Sequence, residues 1–172
     1  HKRFSVAGTY NVIKPKGDAF SDDPKRGVKG GSLPAVLDEL VRRVEELHPG
    51  CLCSILLVDA EGKHLHHGAG PSLPDFYNRA IDGIVIGDGV GSCGTAAYRG
   101  ERVIVEDIQQ HPYWAPYCEL AARAGLGACW SQPFKDRDGR VLGTFAFYYG
   151  EPTEPDSLQR RLVEVIVHLC AL

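Results

Sequence analysis

Methionine is absent from the 172 residues, tryptophan occurs only twice, and no apolar run approaches the roughly 18 to 20 residues that a membrane span requires. The most apolar windows, such as Val141 to Tyr149, are about half that length, which excludes a transmembrane role for this stretch. Without an initiating methionine, the chain from His1 reads as processed or as a piece of something longer. Its first residues, His1 to Val6, lack the apolar core and small-residue cleavage site of a secretory signal, so the expected location is cytoplasmic. An excess of positive charge is missing too, since 19 Lys and Arg stand against 22 Asp and Glu, a net charge of −3. A general grip on nucleic acid demands a clustered basic face, so no nucleic-acid partner is expected. Cysteine occurs six times, yet in a chain long enough to bury a proper core free thiols are the better reading than a disulfide framework. What is present, 44% hydrophobic and 24% charged residues, is the composition of one ordinary folded domain and not of a disordered tail.

Charge is unevenly distributed. Residues 1–31 hold seven basic side chains against three acidic ones, with Pro15, Pro24 and five glycines, whereas the rest holds twelve against nineteen. That composition marks 1–31 as a basic arm or linker, in which Tyr10 to Ile13 could add a strand, and leaves 32–172 as the folded unit. From Leu33 the apolar positions Val36, Leu37, Leu40, Val41, Val44 and Leu47 recur at helical spacing until His48-Pro49-Gly50 stops them. Cys51 to Asp59 and His64 to Gly68, joined by Glu61-Gly62, read as a β-hairpin. Pro74 to Ile81 reads as a short helix, Ile84 to Ile86 and Val103 to Val105 as short strands, and Cys118 to Ala124 as a helix. Ala128 to Gln132 and Val141 to Tyr149 form a second hairpin around a turn at Asp136 to Gly139. Thr153, with Glu154 and Asp156 in the first turn, is expected to open a helix that runs to the end.

Helix, hairpin, irregular middle, hairpin, helix is an α+β order. It fits a central antiparallel sheet with the terminal helices on one face and pocket-forming loops and short helices on the other. The middle carries Gly89, Gly91 and Gly94 in G-x-G-x-x-G spacing, but Gly100 stops the helix after about two turns and no parallel strand-helix-strand unit surrounds it, which rejects a dinucleotide site. Gly-Lys-Ser/Thr is absent, which rejects a P-loop. Ser92, Cys93, Gly94 and Thr95 then open a short helix whose first N–H groups favour an anion or another hydrogen-bond acceptor.

The strings GVGSCGTAAYRGERVIVEDI, HPYW, GLGACWSQPF and DGRVLGTFAFYY, in this order, resemble a GAF domain over nearly the whole of Leu33 to Leu172. More narrowly, they resemble the GAF modules of bacterial multidomain signalling proteins, beside histidine kinase, diguanylate cyclase or phosphodiesterase outputs. The resemblance implies an antiparallel sheet of about five or six strands, helices on one side packing as a homodimer, and an unidentified small molecule on the other. It implies regulation rather than catalysis in this domain. Carried over by position, the ligand-binding residues would be Phe76, Tyr77, Ser92, Cys93, Gly94, Thr95, Asp107, Trp114, Trp130, Ser131 and Phe145, with Phe147 sharing the strand of Phe145. Core packing is the competing role for the aromatic residues and backbone capping for Asp107. No cofactor is named: the bilin-type Cys-His pair, the mammalian-type cyclic-nucleotide signature and a privileged haem-ligating histidine are all missing.

Cys51 and Cys53 share one face of a strand and read as small core residues. A Cys2His2 metal site with the nearby histidines would lack the turn such cysteine pairs occupy, so no metal is expected. Cys93 differs, because a thiol at a helix start can become reactive. One branch resembling this chain, the free methionine sulfoxide reductases, shares G-x-C-G-T-A and supplies the enzymatic alternative, with Cys118 near its catalytic position. That branch's second motif cysteine falls at Gly83 here, its strand carboxylate at Cys129, and its acidic pair in Thr144 to Phe147, where no acid exists. A dimerisation module without ligand is the third alternative.

Overall fold

The computed structural model describes residues 32–157, 159–161 and 164. The arm at 1–31, its expected strand and the apolar positions Leu158, Leu162, Val165, Ile166 and Leu169 of the expected last helix lie outside the described residues.

Helix α1 spans Leu33–Leu47, opened by Ser32, whose side chain accepts the Ala35 N–H at 3.4 Å, and closed at His48. Strands β1 (Leu52–Val58) and β2 (His64–Ala69) follow, then helix α2 (Asp75–Ile81) and the two-residue β3 (Ile84–Val85). Helix α3 runs Gly91–Arg99, β4 Val103–Val105, a 3-10 helix Pro112–Tyr117, α4 Cys118–Arg123, β5 Ala128–Lys135 and β6 Val141–Tyr149. The six strands form one antiparallel sheet in the order β3-β2-β1-β6-β5-β4.

Two hydrophobic clusters lie on opposite faces of this sheet. On one face, Leu37, Val41 and Val44 of α1 meet Cys53, Ile55, Trp130, Phe134, Phe145, Phe147 and Tyr149. Each aliphatic side chain buried from α1 contributes about 1.5–3 kcal/mol by leaving water, and this anchors the helix. On the other face, α2, α3, the 3-10 helix and α4 cover Leu56, Leu65, Cys129, Ala146 and Tyr148. Alternation along each strand decides the face. Phe145, Phe147 and Tyr149 of β6 point to α1, and Ala146 and Tyr148 point to α3.

Three sequence expectations are corrected. Strand β5 continues past Gln132 to Lys135, because its partner β6 keeps pairing through Pro133↔Thr144 and Phe134↔Gly143. The HPYW segment, part of the irregular middle expected from the sequence, is a 3-10 turn, with the His111 ring accepting the Tyr113 N–H and Pro112 at its start. The last helix does not open at Thr153, since residues 151–156 are not helical and helical residues begin at Ser157. Asp156 accepts the Gln159 N–H at 2.7 Å and the Gln159 side chain accepts the Asp156 N–H at 3.1 Å, a capping box that sets the start three residues later.

Candidate functional site

Helix α3 enters tightly. Its Thr95 hydroxyl donates to the Gly91 carbonyl at 2.6 Å and accepts the Gly89 N–H at 3.1 Å, pinning the glycine-rich turn to the first helical turn. Gly94 cannot be larger without movement, because a Cβ there would stand 2.9 Å from the Val85 carbonyl oxygen and 2.8 Å from the Val90 Cβ. Close approach of this helix explains why the sheet beneath it carries small side chains: Ser131 and Cys129 on β5, and Thr144 and Ala146 on β6, all with no exposed surface.

Between α3 and the sheet lies a cavity of about 20 Å³, lined by Leu56, Tyr77, Ile81, Ile84, Gly91, Ser92, Cys93, Trp114, Tyr117 and Tyr148. That volume holds about one water molecule. The lining is almost wholly apolar and includes no charged side chain. The polar side-chain atoms of Trp114, Ser92, Tyr77 and Tyr148 are already hydrogen-bonded. The Trp114 ring N–H donates to the Ser92 hydroxyl at 2.9 Å, and the Ser92 hydroxyl donates to the Cys129 carbonyl at 3.1 Å. Tyr77 donates to the Tyr148 hydroxyl at 3.0 Å, with the two rings edge to face. Burial pushes both phenols well above their ordinary range, so both stay neutral.

Cys93 sits in the first turn of α3 and accepts a hydrogen bond from the Ser131 hydroxyl at 3.3 Å. Hydrogen bonding from the Cys129 thiol, followed by that from Ser131, lowers the Cys93 thiol below its ordinary value against the opposing effect of burial. Burial and the same thiol contact push Cys129 well up.

Of the expected site residues, Tyr77, Ser92, Cys93 and Trp114 meet at this cavity. Ser131 lies on the same side and reaches Cys93, while Gly94 and Thr95 shape the helix behind it. Four expectations are corrected on geometry. Trp130 and Phe145 lie on the α1 face, with Phe147, because their neighbours Cys129, Ser131 and Ala146 take the other side; the Trp130 ring packs 4.5 Å from that of Tyr149. Asp107 accepts the Gln109 N–H at 3.1 Å, capping the turn after β4, and is not among the cavity-lining residues. Phe76 stays half-buried outside the cavity under the Arg123 guanidinium, 4.8 Å from its ring centre. Tyr148 and Tyr117 escaped the sequence reading. For Tyr148 the signal was available in Thr144, Ala146 and Tyr148, since the face with smaller side chains is the one an incoming helix can approach.

Elsewhere, Cys51 and Cys53 are buried on the α1 face with sulfurs 3.7 Å apart. The histidines of the first hairpin engage acids instead, His64 with Asp59 and His66 with Asp82, each at 3.2 Å. The half-buried Cys118 thiol points to the Ile108 carbonyl at 3.7 Å and does not line the cavity. Among the described residues no group of three or more His, Cys, Asp or Glu is placed to hold a metal ion, and no helix is long and apolar enough to cross a membrane.

A family model for the GAF domain matches residues 31–172. The chain belongs to the GAF domain family. The methyl sulfide methyltransferase-associated sensor of Methanosarcina acetivorans is 39% identical over 148 residues, which is 86% of this chain and 15% of that protein. The chain therefore spans about 15% of the length of this curated relative. A domain described as part of a two-component sensor histidine kinase from Sinorhizobium meliloti superposes with a TM-score of 0.66 at 21% identity, covering 81% of this chain and 88% of that one. Free methionine-R-sulfoxide reductase from Neisseria meningitidis, solved with its substrate, gives 0.63 at 17% identity, covering 96% and 83%. At such identities both structures show the GAF fold alone. The chain is thus a GAF domain, of the family that also supplies part of a protein named as a sensor.

Proposed function

We propose that this GAF domain senses a small, neutral, largely apolar molecule seated between α3 and the sheet, and passes its signal through α1 and the flanking chain. The observation that carries this reading is the lining itself: tyrosine, tryptophan and aliphatic walls with one thiol, the Ser92, Tyr77 and Tyr148 hydroxyls already paired, and no cation to meet an anionic ligand. At the start of α3, where the sequence leads us to expect an anion or another acceptor on the backbone N–H groups, the Ser92 hydroxyl is already spent and no cation lines the cavity, which favours a neutral acceptor. A ligand larger than a few heavy atoms requires the 3-10 segment bearing Trp114 and Tyr117 to shift, since close-packed walls do not yield otherwise. Tyr77, Ser92, Cys93 and Trp114 are the proposed contact residues.

Several observations support a non-enzymatic role for the domain itself. No carboxylate stands in the cavity to hold an amino-acid sulfoxide, and the Cys118 thiol is turned elsewhere. The five described cysteines are free, in keeping with a cytoplasmic setting. Residues 32–172 form the domain in this reading and 1–31 a connecting arm.

Trp130→Phe leaves Trp114, at the cavity, as the only tryptophan. Titrating this variant with a panel of small thioethers, thiols, ketones and amides should give a saturable change in Trp114 emission for at least one neutral compound, and none for matched carboxylates or phosphates. A flat response throughout, with calorimetry equally silent, removes the ligand-sensing reading. It would leave a transmission module without ligand, the reading that the small cavity favours.

A further inference from the structure

We propose that Cys93 and Cys129 form a hydroperoxide-reactive dithiol: a small hydroperoxide entering the cavity oxidises Cys93, and Cys129 then closes a disulfide between α3 and β5. This modification goes beyond ligand sensing and does not depend on it. Three features of the geometry converge. Cys93 lines the cavity, whose volume of about 20 Å³ suits a molecule with one or two oxygen atoms. The Cys93 sulfur receives a hydrogen bond from the Ser131 hydroxyl at 3.3 Å and stands in the first turn of α3, two features that favour the thiolate. Cys129 lies two residues before Ser131 on β5, in the same core cluster as Cys93, and the Ser92 hydroxyl next to Cys93 grips the Cys129 carbonyl at 3.1 Å. Cys93 lines the cavity and Cys129 does not, which together with the Ser131 hydrogen bond assigns attack to Cys93 and resolution to Cys129, in keeping with the lowered Cys93 thiol.

In the first step the Cys93 thiolate attacks the distal peroxide oxygen. The O–O bond breaks, an S–O bond forms, and the departing alkoxide or hydroxide takes a proton from water, leaving Cys93 as sulfenic acid. In the second, the Cys129 sulfur attacks the sulfenic sulfur. The S–O bond breaks, its hydroxide leaves as water with the Cys129 proton, and an S–S bond forms. Overall the two thiols lose two electrons and two protons, and the peroxide is reduced to alcohol or water. The other described cysteines are placed differently. Cys51 and Cys53 lie across the sheet, and Cys118 bonds to Ile108 outside the cavity.

The test uses the whole reduced chain treated with stoichiometric hydrogen peroxide, alkylated and digested with trypsin. Arg79, Arg99, Arg123, Lys135 and Arg161 place Cys93, Cys118, Cys129 and Cys170 on separate peptides, and Cys51 with Cys53 on another. The expected product is a Cys93–Cys129 linked pair, formed faster than any other cysteine is lost, at a rate that rises with pH through a midpoint below that of a free cysteine. Cys129→Ser should instead accumulate a dimedone adduct at Cys93, and Ser131→Ala should slow the reaction several-fold while circular dichroism is unchanged. Cys93 remaining fully alkylated in wild-type protein while Cys118 or Cys170 is consumed overturns the proposal, as does a disulfide joining any other pair. The wild-type digest decides the matter even if a variant fails to fold.

Discussion

At the residue scale, the two tryptophans have opposite duties although both sit in the segments that resemble a ligand pocket. Trp114 keeps its ring N–H bonded to Ser92 at the cavity, whereas Trp130 is buried against Tyr149 on the α1 face, its ring N–H without a partner among the described residues. Trp130→Ala should therefore cost about 3–5 kcal/mol of stability, through the void left in the core, while leaving cavity binding intact. Urea denaturation beside ligand titration separates the two effects. His48 offers a second residue-scale test. It closes α1, its ring bonds the Tyr149 hydroxyl at 2.6 Å, and burial lowers its pKa from 6.5 despite the attraction of Asp156. Below pH 6.5 the unfolded chain binds a proton that the folded chain resists, so the stability contribution of this group is complete above that value and declines as pH falls through it. Denaturation midpoints should drop between about pH 7.5 and about pH 5.5 in the wild type and flatten in His48→Gln. Asp82 and Asp136, held below the ordinary carboxylate value by backbone N–H groups of His67 and Arg140 respectively, act only in a lower window, below 3.8.

At the element scale, the two faces of β6 explain how one strand serves both layers. Its large aromatics fill the wide gap to α1, and its small residues admit α3. Gly143 marks the tightest point, where a Cβ would strike the Leu56 carbonyl of β1 and come within 2.6 Å of the Phe134 ring of β5. Backbone cannot give way as a flexible side-chain tip can. Gly143→Ala should cost about 1–3 kcal/mol, and amide exchange should speed up in β1 and β5 before it does in α1. Equal acceleration everywhere would mean that the strain is global and not centred on this crossing.

For the whole molecule, both faces of the sheet are covered, yet α1 keeps Leu47 72% exposed and Leu33 and Leu40 half-buried. We expect a homodimer through the terminal helices, with α1 contributing this apolar edge. Sedimentation should show a concentration-dependent dimer weakened by Leu40→Glu and Leu47→Glu together. A monomer at high micromolar concentration, in a chain carrying its natural flanking sequence, would assign these leucines another role. Binding at the cavity can reach such an interface by one physical route, from α3 through the thin layer of Ala146, Ser131 and Cys129 to the α1 face.

The spacing of Leu33 to Leu47, the branched run before Asp59, the Asp136 to Gly139 turn and the alternation in 141–149 were sufficient for α1, β1 and the second hairpin, because each is encoded by local periodicity and turn chemistry, whereas the 3-10 helix and the start of the last helix were not legible in this way. The identity of α3 as a pocket wall was legible for the same reason, in the run from Gly89 to Gly100. Which face of each strand met the pocket was not. Phe145 and Ala146 obey the same alternation in either orientation, and the choice falls to how closely α3 and α1 approach, set by Gly94 on one side and by the aromatic layer on the other. Nor could sequence show that Ser92 spends its hydroxyl on Trp114 and Cys129, or that Cys93 meets Ser131 across 38 residues of chain. Those contacts join distant segments, and only the packing of α3 and the 3-10 helix against β5 brings them within hydrogen-bonding reach.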